Sequence, residues 1–328
     1  MEMKSLNIMG RVLYFIHSYK NPNQVLRLVK TLRSGSLESV VLIHHDYSKS
    51  YLDPAAFERT SGVHIMKTHT VEWGDNSMND MWLKGFEWLK ENSIDFAWFV
   101  NLSGQDYPVR PLSDLEDFLK NTSYDGFMAH GEARDVSLWG ADRNEDRTHF
   151  CYYKLPHFPY YYKLPSILKK WLSMLRTSIN KVQPFIRIKP YPHRLKTRLG
   201  LRRISTPFTP IFKCYRGPTW WTLSHECIKY ILESVKNNPY LLRYYQRSLI
   251  PEESFFHSIV LNNHAMKIAN RKLHYVMWRS SASAHPNVLI SEDLDRIVTS
   301  KQFFARKFDM NVDSNVIDMI DEHVLKLI

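Results

Sequence analysis

Short apolar runs alternate along the chain with stretches whose apolar residues recur every three or four positions. Arg11 to Tyr19 (RVLYFIHSY) is almost continuously apolar and predicts a buried first strand. Asn21-Pro22 suits a helix start, and Val25, Leu28, Val29 and Leu32 fall at helical spacing, with Gly35 ending the helix. Ser39 to Asp46 (SVVLIHHD) predicts a second strand, and Val63 to Lys67 a short third one. Met78, Met81, Trp82, Gly85, Phe86 and Leu89 make one helical face over Ser77 to Lys90. Phe96 to Pro108 (FAWFVNLSGQDYP) reads as a fourth strand running into a turn. A short helix over Leu112 to Leu119 follows, with Ser113 as its N-cap.

This β-α-β-β-α-β order predicts a mainly parallel sheet flanked by helices, and in such folds ligands bind beyond the carboxyl ends of the strands. The rule singles out His17-Ser18, His44-His45-Asp46 and Ser103-Gly104-Gln105-Asp106. Beyond Pro210, IFKCYRGPTWWTLS predicts strand, turn and strand. Helices are expected over Glu226 to Lys236 and from Pro251, and LHYVMW reads as a short strand.

Between these halves lies a different segment. Ile167, Leu168, Trp171, Leu172, Leu175 and Ile179 form one apolar stripe, with Lys169, Lys170, Arg176 and Lys181 mainly off it. The basic, turn-rich RIKPYPHRLKTRLGLRR follows. Charge sharpens the contrast. The net charge is +11, yet from Thr148 to His225 there are fifteen Lys and Arg and no Asp or Glu, so the remainder sums to 11 − 15 = −4. Two readings of the helix stand: a cover over part of the domain, or an anchor on an anionic membrane leaflet. The domain reading is a single unit over 1–328, with a nucleotide-binding half at 11–125, a basic amphipathic insertion at 150–205 and a catalytic half at 206–328.

Three cysteines without a CxxC pair suggest a reducing compartment and no structural zinc. The apolar run Val12 to Ile16 is too short for a signal-peptide core. No later run approaches the roughly 18 apolar residues that span a bilayer. The expected location is therefore cytoplasmic, peripheral to the inner face of the membrane where the basic segment engages it. His44 and His45 are adjacent on a strand, so they point to opposite faces and do not chelate one metal.

The motifs FIHSYKNP, LIHHDYS, VEWGDNSM, FVNLSGQDYPV, RGPTWWTLS, IPEESFFHSIV and FFARKFD, in this order, resemble the Core-2/I-branching β-1,6-N-acetylglucosaminyltransferases. They are equally similar to the related peptide O-xylosyltransferases, above all at EESFFH and FFARKF. The resemblance runs from about Leu13 to Asp309, interrupted by the basic segment. It implies a GT-A-like, Rossmann-like α/β fold. It also implies inverting transfer of a sugar (N-acetylglucosamine or xylose first, glucuronic acid not distinguished) from a UDP-sugar to a glycan or glycolipid hydroxyl. No metal and no other cofactor is implied. The only Asp-x-Asp, Asp293-Leu294-Asp295, comes too late in the chain and in a helical acidic stretch.

Site residues follow from the resemblance, one by one. Glu253 in Pro251-Glu252-Glu253 matches the catalytic base, although the same residues would serve an ordinary helix start. Glu252 is read as facing solvent or setting the position of its neighbour. Arg306 and Lys307 match the segment directed at the donor diphosphate. An upstream arginine of the family aligns loosely with Arg279 to Pro286, where Arg279 or His285 would stand in. His17, Ser18 and Asp46 fall where the family contacts uridine, and Trp73 is a stacking surface for the base or else a core aromatic. Asp106 orders its loop or touches the donor sugar. Trp220 and Trp221 stack on a sugar ring or pack in a strand. The xylosyltransferases carry an acid where Thr219 stands, which speaks against a peptide acceptor.

Two other functional classes compete with this reading. A nucleotidyltransferase would want a Gly-rich phosphate loop and a metal-binding carboxylate pair, and FIHSYKNP supplies neither. An anionic-membrane or nucleic-acid binder acting through 152–203 would explain the basic segment. It leaves the seven motifs and Glu253 unaccounted for, so nucleic acid is not expected as a partner.

Overall fold

The computed structural model describes residues 10–135, 141–156, 164–190, 197–278 and 285–326. The strands, in chain order, begin with β1 (Val12–Ser18), β2 (Val40–His45), β3 (Val63–Met66), β4 (Trp98–Ser103) and β5 (Asp106–Pro108). Then come β6 (Gly126–Phe127), β7 (Gly131–Glu132), β8 (Phe150–Lys154), β9 (Ile186–Pro190) and β10 (Thr197–Arg202). The last are β11 (Tyr215–Arg216), β12 (Thr222–Ser224), β13 (Ile268–Ala269), β14 (His274–Val276) and β15 (Phe304–Arg306).

Seven of them form the central sheet in the order β13-β6-β12-β4-β1-β2-β3. β1 pairs in parallel with both β2 and β4, and β2 pairs in parallel with β3. β12 enters antiparallel between β4 and β6. The expected mainly parallel α/β architecture is therefore present. The reason is local: β1, β2 and β4 are covered on both faces, so nearly every position is buried and the sequence shows runs in place of alternation.

Helices Pro22–Gly35 and Leu112–Asn121 pack their apolar sides on one face, and Ser77–Glu91 and His225–Asn237 on the other. The second face is strongly aromatic. Trp221 is fully buried and stacks on Phe99 at 5.6 Å between centroids, with Trp82 and Phe256 at 5.7 and 5.8 Å. Trp221, just ahead of β12, is therefore a core residue and not a sugar platform, because it lies in the same buried cluster as Leu223, two residues on. The helix after β5 begins at Leu112, with Pro111 at the cap position and no side-chain cap. Ser113 is thus inside the helix and is not its cap.

A second small sheet, β14-β15-β5, lies beside the first, with Arg306 directly opposite Asp106. The basic insertion is built from the helix Ser166–Val182 and an antiparallel sheet, β8-β10-β9. The stretch that looked turn-rich thus carries two strands, and Thr197–Arg202 pairs with both Phe150–Lys154 and Ile186–Pro190. Tyr160 to Tyr162, and Arg279, lie outside the described residues.

Trp221→Ala removes a fully buried aromatic from this cluster and should cost about 3–5 kcal/mol of stability. Urea denaturation read by circular dichroism checks it; a loss under about 1 kcal/mol would contradict a core role.

Candidate active site

Cationic side chains gather where β5, β15 and the loop after β1 meet. Asp106 is fully buried and accepts the Ser103 backbone N–H at 2.5 Å. Its Oδ1 lies 3.3 Å from Nη1 of Arg306, whose side chain is itself largely buried. Burial raises the Asp106 carboxyl pKa, while Arg306 and the Ser103 N–H pull the other way. The guanidinium lies over the Trp220 ring at 4.6 Å, and the Lys272 ammonium over the same ring at 5.5 Å. Lys307 follows Arg306 and makes no ion pair among the described residues. Burial first, then Lys20 and Arg306, lower its pKa. Lys20 pairs with Asp309 at 2.6 Å, and Asn21 donates to the other oxygen of that carboxylate at 2.7 Å.

The field of Arg306 reaches further. Burial chiefly, and then Arg306, hold His17 down at about 3. The same causes, in the same order, lower His274 and Lys272. These histidines are neutral at physiological pH, so the positive charge at the site is carried by Arg306, Lys307, Lys20 and Lys272. Such a cationic group, partly withdrawn from water, suits a diphosphate.

The carboxylate side is built on Pro251–Glu253, a single tight turn ahead of the helix Phe255–Leu261. Phe255 and Phe256 are fully buried and anchor it. Glu253 keeps 27% of its side chain exposed and pairs with Arg147 through Oε2. Its carbonyl accepts the Gly217 N–H at 2.8 Å, which ties it to the strand-turn carrying Trp220. Gly217 has no room for a side chain: a Cβ there would sit 1.9 Å from the Ala129 carbonyl oxygen and 2.6 Å from His257.

Glu252 does not face solvent. It is 2% exposed, and its Oε1 accepts the Gly74 N–H at 2.9 Å, while Oε2 has no hydrogen-bond partner among the described residues. Burial, and then the charge of Glu253, push its pKa up to about 8. The protonated acid is therefore the form this turn stores at neutral pH. Through Gly74 it fixes the loop that carries Trp73, whose ring is 47% exposed and meets His285 at 6.3 Å. Trp73 is thus a surface aromatic and not a core one.

At the strand ends, Ser18 and His45 hydrogen-bond at 2.8 Å, and both are buried. Asp46 accepts the Ser48 N–H and hydroxyl and the Val71 N–H, at 3.1, 2.7 and 3.1 Å. Its carboxylate shapes the loop around the strand ends. Asn101 joins this half to the other: it accepts Trp82 Nε1–H at 2.9 Å and donates to the Thr219 carbonyl at 2.6 Å. Among the described residues, no three His, Cys, Asp or Glu side chains are grouped as a metal site requires.

The structure thus brings Arg306, Lys307, Asp106 and Trp220 together, and links Glu253 to them through the Gly217–Trp220 segment. Sequence reasoning missed Lys272, Lys20 and Arg147. Lys20 lies inside a quoted motif, so it was within reach. Arg147 and Lys272 are separated from their partners by long stretches of chain and had no local signal.

The sequence profile described as Core-2/I-Branching enzyme matches residues 15–148 and 164–302. A beta-glucuronosyltransferase of Arabidopsis thaliana is 24% identical over 295 residues, covering 86% of this chain and 54% of its own. Xylosyltransferase 2 of Homo sapiens is 27% identical over 331 residues, covering 92% of this chain and 32% of its own. A Drosophila melanogaster xylosyltransferase is 24% identical, with 91% and 32% covered. The chain thus spans between about a third and just over half the length of these relatives.

The raised Glu252 pKa has a consequence for stability. The folded state keeps a proton that the unfolded chain releases near 4.5, so stability falls as pH rises from about 4.5 to about 8. Glu252→Gln should remove up to about 1.4 kcal/mol per pH unit of that slope. Denaturation midpoints of both proteins across this range check it; parallel profiles would mean that Glu252 is ionised in the fold.

Proposed function

The chain belongs to the Core-2/I-Branching enzyme family, and we propose that it is an inverting, metal-independent glycosyltransferase using a UDP-sugar. The observation that carries this is the pair of cations, Arg306 and Lys272, over Trp220 at one end of the Gly217–Trp220 segment, with Lys307 beside Arg306 and within the field of Lys20. Glu253 is held at the other end.

In this reading the acceptor hydroxyl gives its proton to the Glu253 carboxylate as its oxygen bonds the anomeric carbon. The bond from that carbon to the diphosphate oxygen breaks, and the configuration inverts. UDP leaves against fixed cations that take the place of water and stabilise the charge as it develops. Arg306 offers a planar fork and the lysines point charges. Arg147 keeps the Glu253 carboxylate in one orientation.

Metal independence is supported by how Asp106 is used. It is a single acid whose Oδ2 takes the Ser103 N–H and whose Oδ1 faces the Arg306 guanidinium at 3.3 Å, so a positive charge already stands where a hard cation would have to bind, and the several oxygen ligands such a cation takes are not gathered there. The base and ribose would lie along the β1 and β2 ends, near His17, Ser18 and Asp46, with Trp73 at the rim. His17 is mostly enclosed and neutral, so it serves as a hydrogen-bonding group and not as a charge. The names of the relatives make xylose and glucuronic acid the first donors to test beside N-acetylglucosamine. The acceptor is a hydroxyl of a glycan or glycolipid, for which Trp220 offers a half-exposed ring edge.

A thermal-shift and turnover screen over UDP-xylose, UDP-glucuronic acid and UDP-N-acetylglucosamine, with EDTA and with manganese, tests the reading. One donor should stabilise the protein in EDTA. Glu253→Gln should keep that stabilisation and lose about 10²–10⁴ in turnover. Arg306→Ala should lose both binding and turnover, with Arg306→Lys restoring them only in part. Activity confined to manganese would overturn the metal-free mechanism, and full activity in Glu253→Gln would overturn the choice of base.

A further inference from the structure

The helix Ser166–Val182 is mounted the wrong way round for a helix that covers a domain. None of its residues is buried. At 100° per residue, Ile167, Leu168, Trp171, Leu172, Met174, Leu175, Ile179 and Val182 occupy one continuous arc of roughly 160°. Trp171 is 66% exposed and Ile167 68%, and most of the arc is open in the same way. The opposite, polar side faces the protein: Asn180 both donates to the Ile188 carbonyl, at 3.0 Å, and accepts the Ile188 N–H, at 2.8 Å. An amphipathic helix that spends its polar face on its own sheet and leaves its apolar face in water has a partner elsewhere.

Charge identifies the partner. Lys170 and Lys181 border one edge of the apolar arc, and Lys169 and Arg176 the other. The stretch from Thr148 to His225 itself carries no acidic residue. Two copies meeting face to face would oppose these cations to themselves, which disfavours a dimer. A bilayer with anionic headgroups accepts both parts: the apolar arc enters the acyl boundary, and the flanking cations lie at headgroup level. No helix among the described residues is long and apolar enough to cross a membrane. We infer that the outward face of the Ser166–Val182 helix docks the protein, lying in the interface plane, on an anionic lipid surface. This goes beyond the transfer reaction and does not depend on it.

Flotation of the full chain with vesicles tests the inference directly. Vesicles of phosphatidylcholine and phosphatidylglycerol should carry the protein, and pure phosphatidylcholine should carry at least about tenfold less. Trp171→Ser with Leu175→Ser should lose most of the binding. Because the helix buries nothing, that variant should melt as the wild type does. Lys170→Gln with Lys181→Gln should weaken binding roughly thirtyfold, as should high salt in part. Equal binding to both vesicle types, or no binding to either, overturns the inference. So does a dimer in light scattering that the Trp171→Ser, Leu175→Ser variant turns into a monomer.

Discussion

The buried pair between Asp106 and Arg306 is the constraint around which the candidate site is arranged. It joins β5 to β15 across an antiparallel register, so the two short strands and their loops cannot shift independently. It is a poor source of stability, since withdrawing both charges from water costs about what their attraction returns. Burial winning over Arg306 in the Asp106 carboxyl shows the same balance from the titration side. What the pair supplies is position. It presses a guanidinium against Trp220 and sets a positive field in which His17, His274, Lys272 and Lys307 all find protonation harder. A site with that field is already prepared for an anion before any ligand arrives.

The aromatic core gives this arrangement its rigidity. Trp221 and Trp220 are neighbours with opposite duties, one locked among Trp82, Phe99 and Phe256 and the other placed under two cations. Asn101 fastens the same segment to β4 through one amide that serves Trp82 and Thr219 together. At the far end Gly217 is pinned between Ala129 and His257 and holds the Glu253 carbonyl. The proposed base and the proposed leaving-group clamp, which sit on different elements, thereby share one short strand-turn, which is what orientation-dependent chemistry requires.

Much of this was legible in the sequence, and the reasons differ by element. The buried parallel strands announced themselves because strands covered on both faces must be apolar throughout. The helices that flank the central sheet did so because each has one buried stripe. The strand-end positions were legible through the topology, and the roles proposed for Arg306, Lys307 and Glu253 rest on the ordered motifs. Glu252 and Trp221 were not legible. Whether a glutamate in a tight turn points in or out depends on a half-turn of backbone, and its Gly74 partner lies far away in the chain. Which of two adjacent tryptophans faces the core is a question of register. Nothing within RGPTWWTLS sets that register until β12 is seen to pair with β4 and β6. Arg147 and Lys272 reach the site through tertiary folding alone.

The basic insertion shows the opposite case, in which the pattern was plain and its meaning was not. An apolar stripe bordered by lysines fits a helix that covers a core and a helix that lies on lipid equally well. The two differ only in which side the rest of the protein occupies. Asn180 decides it, since its amide closes two hydrogen bonds with Ile188 and so turns the polar side inward. The division of charge has the same logic. The insertion holds all of the excess positive charge while the remainder of the chain is slightly acidic, so an anionic surface would attract one part of the molecule and orient the rest. Arg147, which holds the Glu253 carboxylate, lies at the end of the helix Ala141–Thr148 that leads into the insertion through β8. The segment inferred to meet a lipid surface and the segment that steadies the proposed base are thus consecutive in the chain.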